Sequence, residues 1–190
     1  PDLAQVREIL GEIVNEDLRA GEVIQRMRTL LKRGEVTRCS LDLNEVAEEV
    51  FHLMHHELTR RDVTLDRKLL ADLPAVSADR IQLQQVLLNL MLNACEAMES
   101  NPPHTRLLRI ATASGGETVS LTVTDAGRGL PADLERIFQP FFTLKEQGLG
   151  MGLAICRSIV TAHHGQLWAE ANETGGATFH VVLPIMEGPV

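Results

Sequence analysis

Residues 118–130 read TVSLTVTDAGRGL. Val119, Leu121 and Val123 alternate with Ser120, Thr122 and Thr124, the period of a strand with one buried face. The apolar run stops at Asp125. Gly127 and Gly129 follow, residues that allow a sharp turn or a close backbone approach to a ligand. An Asp at a strand end before two glycines is either an ordinary turn or one wall of a binding site. Upstream, Leu107–Ala113 alternates in the same way, and Gly115-Gly116 between the two runs is a hairpin signal.

The same reading extends outward. Gly165–Ala171 and Ala177–Leu183 form a second hairpin around Gly175-Gly176. Val36–Leu41 and the alternating Val63, Leu65 and Arg67 add short strands, the latter closed by Leu73-Pro74. Helices are expected from a cap at Asp42 or Asn44 to about Arg60, and from a cap at Ser77 or Asp79 to about Glu99. Asn101-Pro102-Pro103 stops the second. A third runs over Leu149–His164, and its closing His163-His164 pair is well placed for partly charged imidazoles. Residues 125–150 are loop-rich, with one short helical turn after Pro131. The order β-α-β-α-ββ-loop-α-ββ predicts an α+β fold, a two-layer α/β sandwich with one mixed sheet and helices on one face.

Ahead of this domain, residues 3–33 place Val6, Ile9, Leu10, Ile13, Val14, Ile24, Met27, Leu30 and Leu31 at steps of three and four. That predicts one long amphipathic helix, about 45 Å at the usual rise. Gly34 stops it, so the division falls at 1–34 and 35–190. An apolar stripe of that length predicts self-association, hence a homo-oligomer.

Composition narrows the partners. The 190 residues are 44% hydrophobic and carry a net charge of -8, from 26 acidic and 18 basic residues. An acidic chain argues against nucleic acid, whose phosphates need a basic face. No run of about 18 apolar residues is present to span a membrane. Cys39, Cys95 and Cys156 form no CxxC pair, which argues against zinc and disulfides and suits a reducing cytosol.

Three further stretches carry candidate chemistry. In QVLLNLMLNACEAM, residues 85–98, Asn89, Asn93 and Glu96 share one stripe of an otherwise apolar helix. Buried amides need partners. Those partners are either a neighbouring loop or, through an Asn carbonyl oxygen, a hard cation such as Mg²⁺. Gly148-Leu149-Gly150-Met151-Gly152-Leu153 opens the third helix, where free N–H groups and the helix dipole suit phosphate; a flexible linker is the alternative. Phe138, Phe141 and Phe142 lie between the glycine segments, as anchors of a lid or as a satellite of the core.

In order and spacing these stretches resemble the catalytic, ATP-binding domain of sensor histidine kinases, in the wider family shared with gyrase, Hsp90 and MutL. Asn89-Leu-Met-Leu-Asn93-Ala resembles the N box, Asp125-Ala-Gly127-Arg-Gly129 the G1 box, Phe138-Gln-Pro-Phe141 the F box and Gly148-Leu-Gly150-Met-Gly152 the G2 box. The likeness covers about residues 36–185 and continues through Ser158-Ile-Val and Gly175-Gly-Ala-Thr178-Phe. The short lid with Thr143 and Lys145 is most similar to PAS-linked oxygen-sensing and nitrogen-regulatory kinases.

The resemblance implies a Bergerat-type fold, ATP and Mg²⁺ as cofactors, and ATP or ADP as ligand. It implies that Asp125 accepts from the adenine amino group, with Thr178 in support through water and Gly127 and Gly129 lining the pocket. Asn93 would hold Mg²⁺, Asn89 would lie beside the phosphates, and Gly148, Gly150 and Gly152 would wrap them. Lys145 would pair with the terminal phosphate, with Phe138, Thr143, Leu149, Met151 and Leu153 completing the site. Hydrolysing relatives place Glu at position 89 as general base. An amide cannot take a proton at neutral pH. Asn89 therefore points to phosphoryl transfer onto a protein histidine and relay to a response-regulator Asp, with an ATPase or a pure nucleotide-binding module as the alternative. Glu96 stands where some kinases carry Lys, and no phosphate contact is expected of it.

Residues 3–33 resemble the second helix of a dimerisation hairpin, so the acceptor His is expected outside this chain. His55-His56-Glu57-Leu58 resembles an H box only in part, because no Pro follows. The expected location is cytoplasmic, with a parent protein that upstream parts can still anchor to a membrane.

Overall fold

The computed structural model describes residues 38–143 and 149–186. The expected helix over 3–33, and Lys145 and Gly148 of the expected site, lie outside the described residues. Two helices start as their caps predict. Asp42 accepts from the Asn44 amide at 2.8 Å and opens α1, Leu43–Arg60. Asp79 accepts from Ile81 and Gln82 at 3.0 and 3.1 Å and opens α2, Arg80–Ala97. Val46, Ala47, Val50, Met54 and Leu58 of α1 are buried at helical spacing. In α2, Leu90 and Met91 are fully buried. A side chain of that size contributes about 1.5–3 kcal/mol on burial.

The main sheet has the order β2-β4-β5-β7-β6, built from β2, Thr64–Lys68; β4, Leu107–Gly115; β5, Thr118–Asp125; β6, Gln166–Ala171; and β7, Ala177–Pro184. β2 pairs parallel with β4, and every other pair is antiparallel. Ile110 stands opposite Val123, and Val123 opposite Phe179. Their face carries the buried Leu108, Leu121, Val181 and Leu183, and the three helices cover it in one continuous core. This is the expected two-layer sandwich with a mixed sheet.

Two expectations need correction. The first strand, β1 at Cys39–Leu41, does not join the main sheet. It pairs antiparallel with β3, Val76–Ala78, in a separate ribbon. The three residues of this strand are too few to show a period, so Ser77 reads as a cap when it is the outward residue of a strand. The third helix, α3, spans Gly152–Ala162 and begins three residues later than predicted, because Gly150 takes a φ of 63°, which no helix accepts.

His163 departs further. It is 1% exposed. Its Nδ1 lies 2.8 Å from the Ile159 carbonyl, and its Nε2 lies 2.9 Å from the Asp79 amide. A carbonyl only accepts and an amide N–H only donates, so Nδ1 carries the proton and Nε2 is bare. The ring is thus a neutral strut between the end of α3 and the start of α2, not a charged helix terminus.

The Asp125 turn meets the β6–β7 turn backbone to backbone. Gly176 has a φ of 87°, and a Cβ there would lie 2.0 Å from the Asp125 carbonyl. A Cβ on Gly127 would lie 2.6 Å from the Ala97 carbonyl. Among the described residues no helix is long and apolar enough to cross a membrane.

Two outcomes are expected in urea unfolding. His163→Ala strands a buried amide and opens a cavity, and should lower stability by about 2–4 kcal/mol. Gly176→Ala combines a forbidden φ with a direct backbone clash and should cost about 2 kcal/mol or more, whereas Gly116→Ala, with open space around it, should cost no more than about 1 kcal/mol.

Candidate functional site

Asp125 is the last residue of β5 and is 4% exposed. Its Oδ1 accepts from the Gly127 amide at 2.7 Å. Burial pushes the carboxyl above the usual carboxylate range, and backbone hydrogen bonds from Gly127 and Ala177 act against that shift. The C-terminal end of α2 docks on the same turn, with the Arg128 amide donating to the Ala97 carbonyl at 3.2 Å. The stripe Asn89, Asn93 and Glu96 therefore runs along the helix that abuts Asp125. Asn89 is 9% exposed, and its Nδ2 has no hydrogen-bond partner. Asn93 and Glu96 are half-buried.

An orphaned buried amide costs about 1–3 kcal/mol. A ligand contact is one way such a cost is recovered. Among the described residues no group of three His, Cys, Asp or Glu is placed to hold a metal. A divalent ion at this site would rest on amide oxygen and phosphate, the donor set Mg²⁺ tolerates.

The glycine loop supplies a second wall. Gly150 packs against the Phe segment so closely that a Cβ would lie 2.5 Å from the Phe142 carbonyl. Unlike α1 and α2, α3 has no capping hydrogen bond from its N-cap side chain, here Met151. Its first intrahelical bond is Ile155 to Met151, and the helix directs the N–H groups of Gly152, Leu153 and Ala154 out of its N-terminal end, the geometry that suits an anion. Met151 is buried and Leu149 is exposed.

The Phe segment divides between core and surface. Phe138 belongs to the core at 5% exposure, with the Arg157 guanidinium 4.3 Å over its ring. Arg157 also holds both oxygens of Glu135, at 2.8 and 3.1 Å. Phe142 is half-buried under Arg136. Phe141 is 75% exposed and has a φ of 67°, strained for a bulky residue. Thr143, half-buried, ends the described part of this segment.

Thr178 lies beside Thr124, Oγ1 to Oγ1 at 3.0 Å, and donates to Asn172 Oδ1 at 2.8 Å. With its one proton so placed, Thr178 only accepts from Thr124 and from anything further. Sequence reading missed Asn172 and Asn101, which bond the Asp125 turn. Only the preference of Asn for turns marks them.

Residues 78–187 match the model of the histidine kinase-, DNA gyrase B- and HSP90-like ATPases. The sensor protein FixL of Bradyrhizobium diazoefficiens is 38% identical over 185 residues, which cover 97% of this chain and 36% of FixL. The C4-dicarboxylate transport sensor protein DctS of Rhodobacter capsulatus is 37% identical, over 97% of this chain and 28% of DctS. The chain thus spans about a third of the length of these relatives. The catalytic domain of histidine kinase ThkA, free of nucleotide, superposes with a TM-score of 0.70 at 33% identity, over 78% of this chain and 95% of that one. ThkA in complex with the response regulator TrrA gives 0.80 at 28% identity, over 98% of this chain and 53% of that one. A family match over more than half the chain, with sensor kinases on the sequence side and kinase catalytic domains on the structural side, makes this chain a member of the histidine kinase-, DNA gyrase B- and HSP90-like ATPase family, as the ATP-binding catalytic domain of a sensor histidine kinase.

Proposed function

We propose that this domain holds ATP with Mg²⁺ and donates the γ-phosphoryl group to a protein histidine, from which a response-regulator Asp takes it. The observation that carries the reading is Asn89: a buried amide with a free donor, on the helix that abuts Asp125, where a hydrolase needs an acid. An amide cannot deprotonate water, so the γ-phosphoryl group awaits a nucleophile brought by another protein segment. Mg²⁺, when bound, would neutralise phosphate charge. Asp125 selects the base by accepting from the adenine amino group, with Gly127, Gly129 and Thr178 around it. The amides at the start of α3, with Gly150 and Gly152, hold phosphate oxygens; the family resemblance adds Gly148 and Lys145, which lie outside the described residues. Asn93 Oδ1 takes the metal.

In the transfer, the bond from the γ-phosphorus to the β–γ bridging oxygen breaks and a phosphorus–nitrogen bond to imidazole forms. ADP leaves with the electron pair, and the imidazole proton passes to solvent. All seven histidines of the chain lie in the ATP-binding domain. His55 and His56 face solvent on α1, within the layer that covers the sheet. The acceptor is therefore a histidine of another segment or chain. ThkA bound to TrrA supports a response regulator as the next partner. Self-association through residues 3–33 would bring two such domains together.

Incubated with γ-labelled ATP, this chain should form no acid-labile phosphohistidine, and label on His56 would overturn the assignment. Steady-state phosphate release should stay well below about 1 per second, an ordinary enzyme rate; faster release favours the hydrolysing relatives. In calorimetry, Asp125→Asn should weaken ADP at least tenfold, about 1.4 kcal/mol, with the unfolding midpoint nearly unchanged. Asn93→Ala should remove the gain in ATP affinity that Mg²⁺ confers; a gain equal to the parent's would rule Asn93 out as the ligand.

A further inference from the structure

The Asp125 turn is gripped by two asparagines outside the glycine motif. Asn172 Nδ2 donates to the Asp125 carbonyl at 3.2 Å. Asn101 Nδ2 donates to the Ala126 carbonyl at 2.7 Å. The two come from opposite sides. Asn172 lies between β6 and β7, where its own amide donates to the Gly176 carbonyl and its carbonyl accepts from the Gly175 amide, both at 3.1 Å. Asn101 follows α2, where its amide donates to the Met98 carbonyl at 2.9 Å. Arg106 fixes that loop by donating to the carbonyls of Asn101, Arg61 and Glu99.

The orientation of Asn172 is not free. The Asp125 carbonyl only accepts, so Nδ2 must face it, and Oδ1 is left to accept from Thr178, which in turn accepts from Thr124. A flipped Asn172 would turn an oxygen onto the Asp125 carbonyl and lose that bond.

We infer that Asn101 and Asn172 are positioning residues that set the base selectivity of the site by holding Asp125 in register. The inference rests on the reading of Asp125 as the adenine acceptor. Adenine offers an amino group where guanine offers a carbonyl oxygen, so a carboxylate fixed at that point accepts from the first and repels the second. A carboxylate free to swing can instead accept from the ring N–H and the amino group of guanine. Discrimination of this kind depends on a polar group that cannot adapt. Two independent amide clamps on consecutive carbonyls supply that rigidity.

The test measures ADP, GDP and inorganic tripolyphosphate affinities by calorimetry for the parent chain, Asn172→Ala, Asn101→Ala and Asp125→Asn. Each asparagine variant should lower the ADP-to-GDP affinity ratio about tenfold or more and leave tripolyphosphate binding within about twofold. A general loosening of the domain would instead lower all three affinities together, and that result overturns the inference. An unchanged ratio in both asparagine variants, with a reduced ratio in Asp125→Asn, also overturns it and leaves the Asp125 reading standing. An unchanged ratio in Asp125→Asn removes the reading itself. Should Asn172→Ala fail to fold, Asn101→Ala decides alone, because it leaves the β6–β7 turn untouched.

Discussion

The structure depends on one place where backbone meets backbone with no side chain between. The turn after β5 passes under Gly176 and over Ala97, at separations that a single β-carbon would close. Sheet and α2 are joined there through peptide groups. The buried carboxylate of Asp125 and the amide stripe of α2 are consequently placed by main-chain geometry, which most side-chain changes do not reach. At the other end of α2, His163 ties its first turn to the last turn of α3 with two hydrogen bonds to a neutral ring. The helix with the amides and the helix that presents its bare N-terminus are therefore set relative to one another at one end and fixed to the sheet at the other.

Much of this was written in local pattern. The alternation over Leu107–Ala113 and Thr118–Thr124 gave both central strands, and the caps Asp42 and Asp79 began two helices where expected. The glycines were legible because their chemistry is local: glycine takes without strain the positive φ values found at positions 129, 150, 175 and 176. What stayed hidden was set by distant neighbours. Val76–Ala78 becomes a strand because Cys39–Leu41 arrives beside it, and three residues carry no period. His163 reads as a solvated helix end until Asp79, 84 positions away in sequence, is packed against it. Asn101 and Asn172 look like turn residues, and their bonds to consecutive carbonyls appear only once the turns are folded together.

The position of Asn89 shows the same division between local and distant information. Its residue type, an amide where a hydrolase needs an acid, is visible in the sequence and carries the argument for transfer over hydrolysis. Its burial without a donor partner is a tertiary fact. The nearby loop that sequence offered as an alternative partner does not take up that donor.

The burial of Asp125 has a consequence for behaviour in acid. Its proton affinity is raised, chiefly by desolvation, so on acidification it takes a proton before an ordinary surface carboxyl does. A carboxyl whose folded pKa lies above its unfolded value favours folding once protonated, and that contribution is lost as pH rises through the folded pKa. Glu57 behaves oppositely. Hydrogen bonds from Arg60 lead the effects that hold it at about 2, and its stabilising share declines as pH falls below the ordinary Glu range and is gone once pH passes about 2. Acidification therefore reaches the proposed adenine acceptor before it reaches Glu57, and a protonated Asp125 presents O–H where the base offers N–H, so the contact on which base recognition rests is the first of the two to be lost.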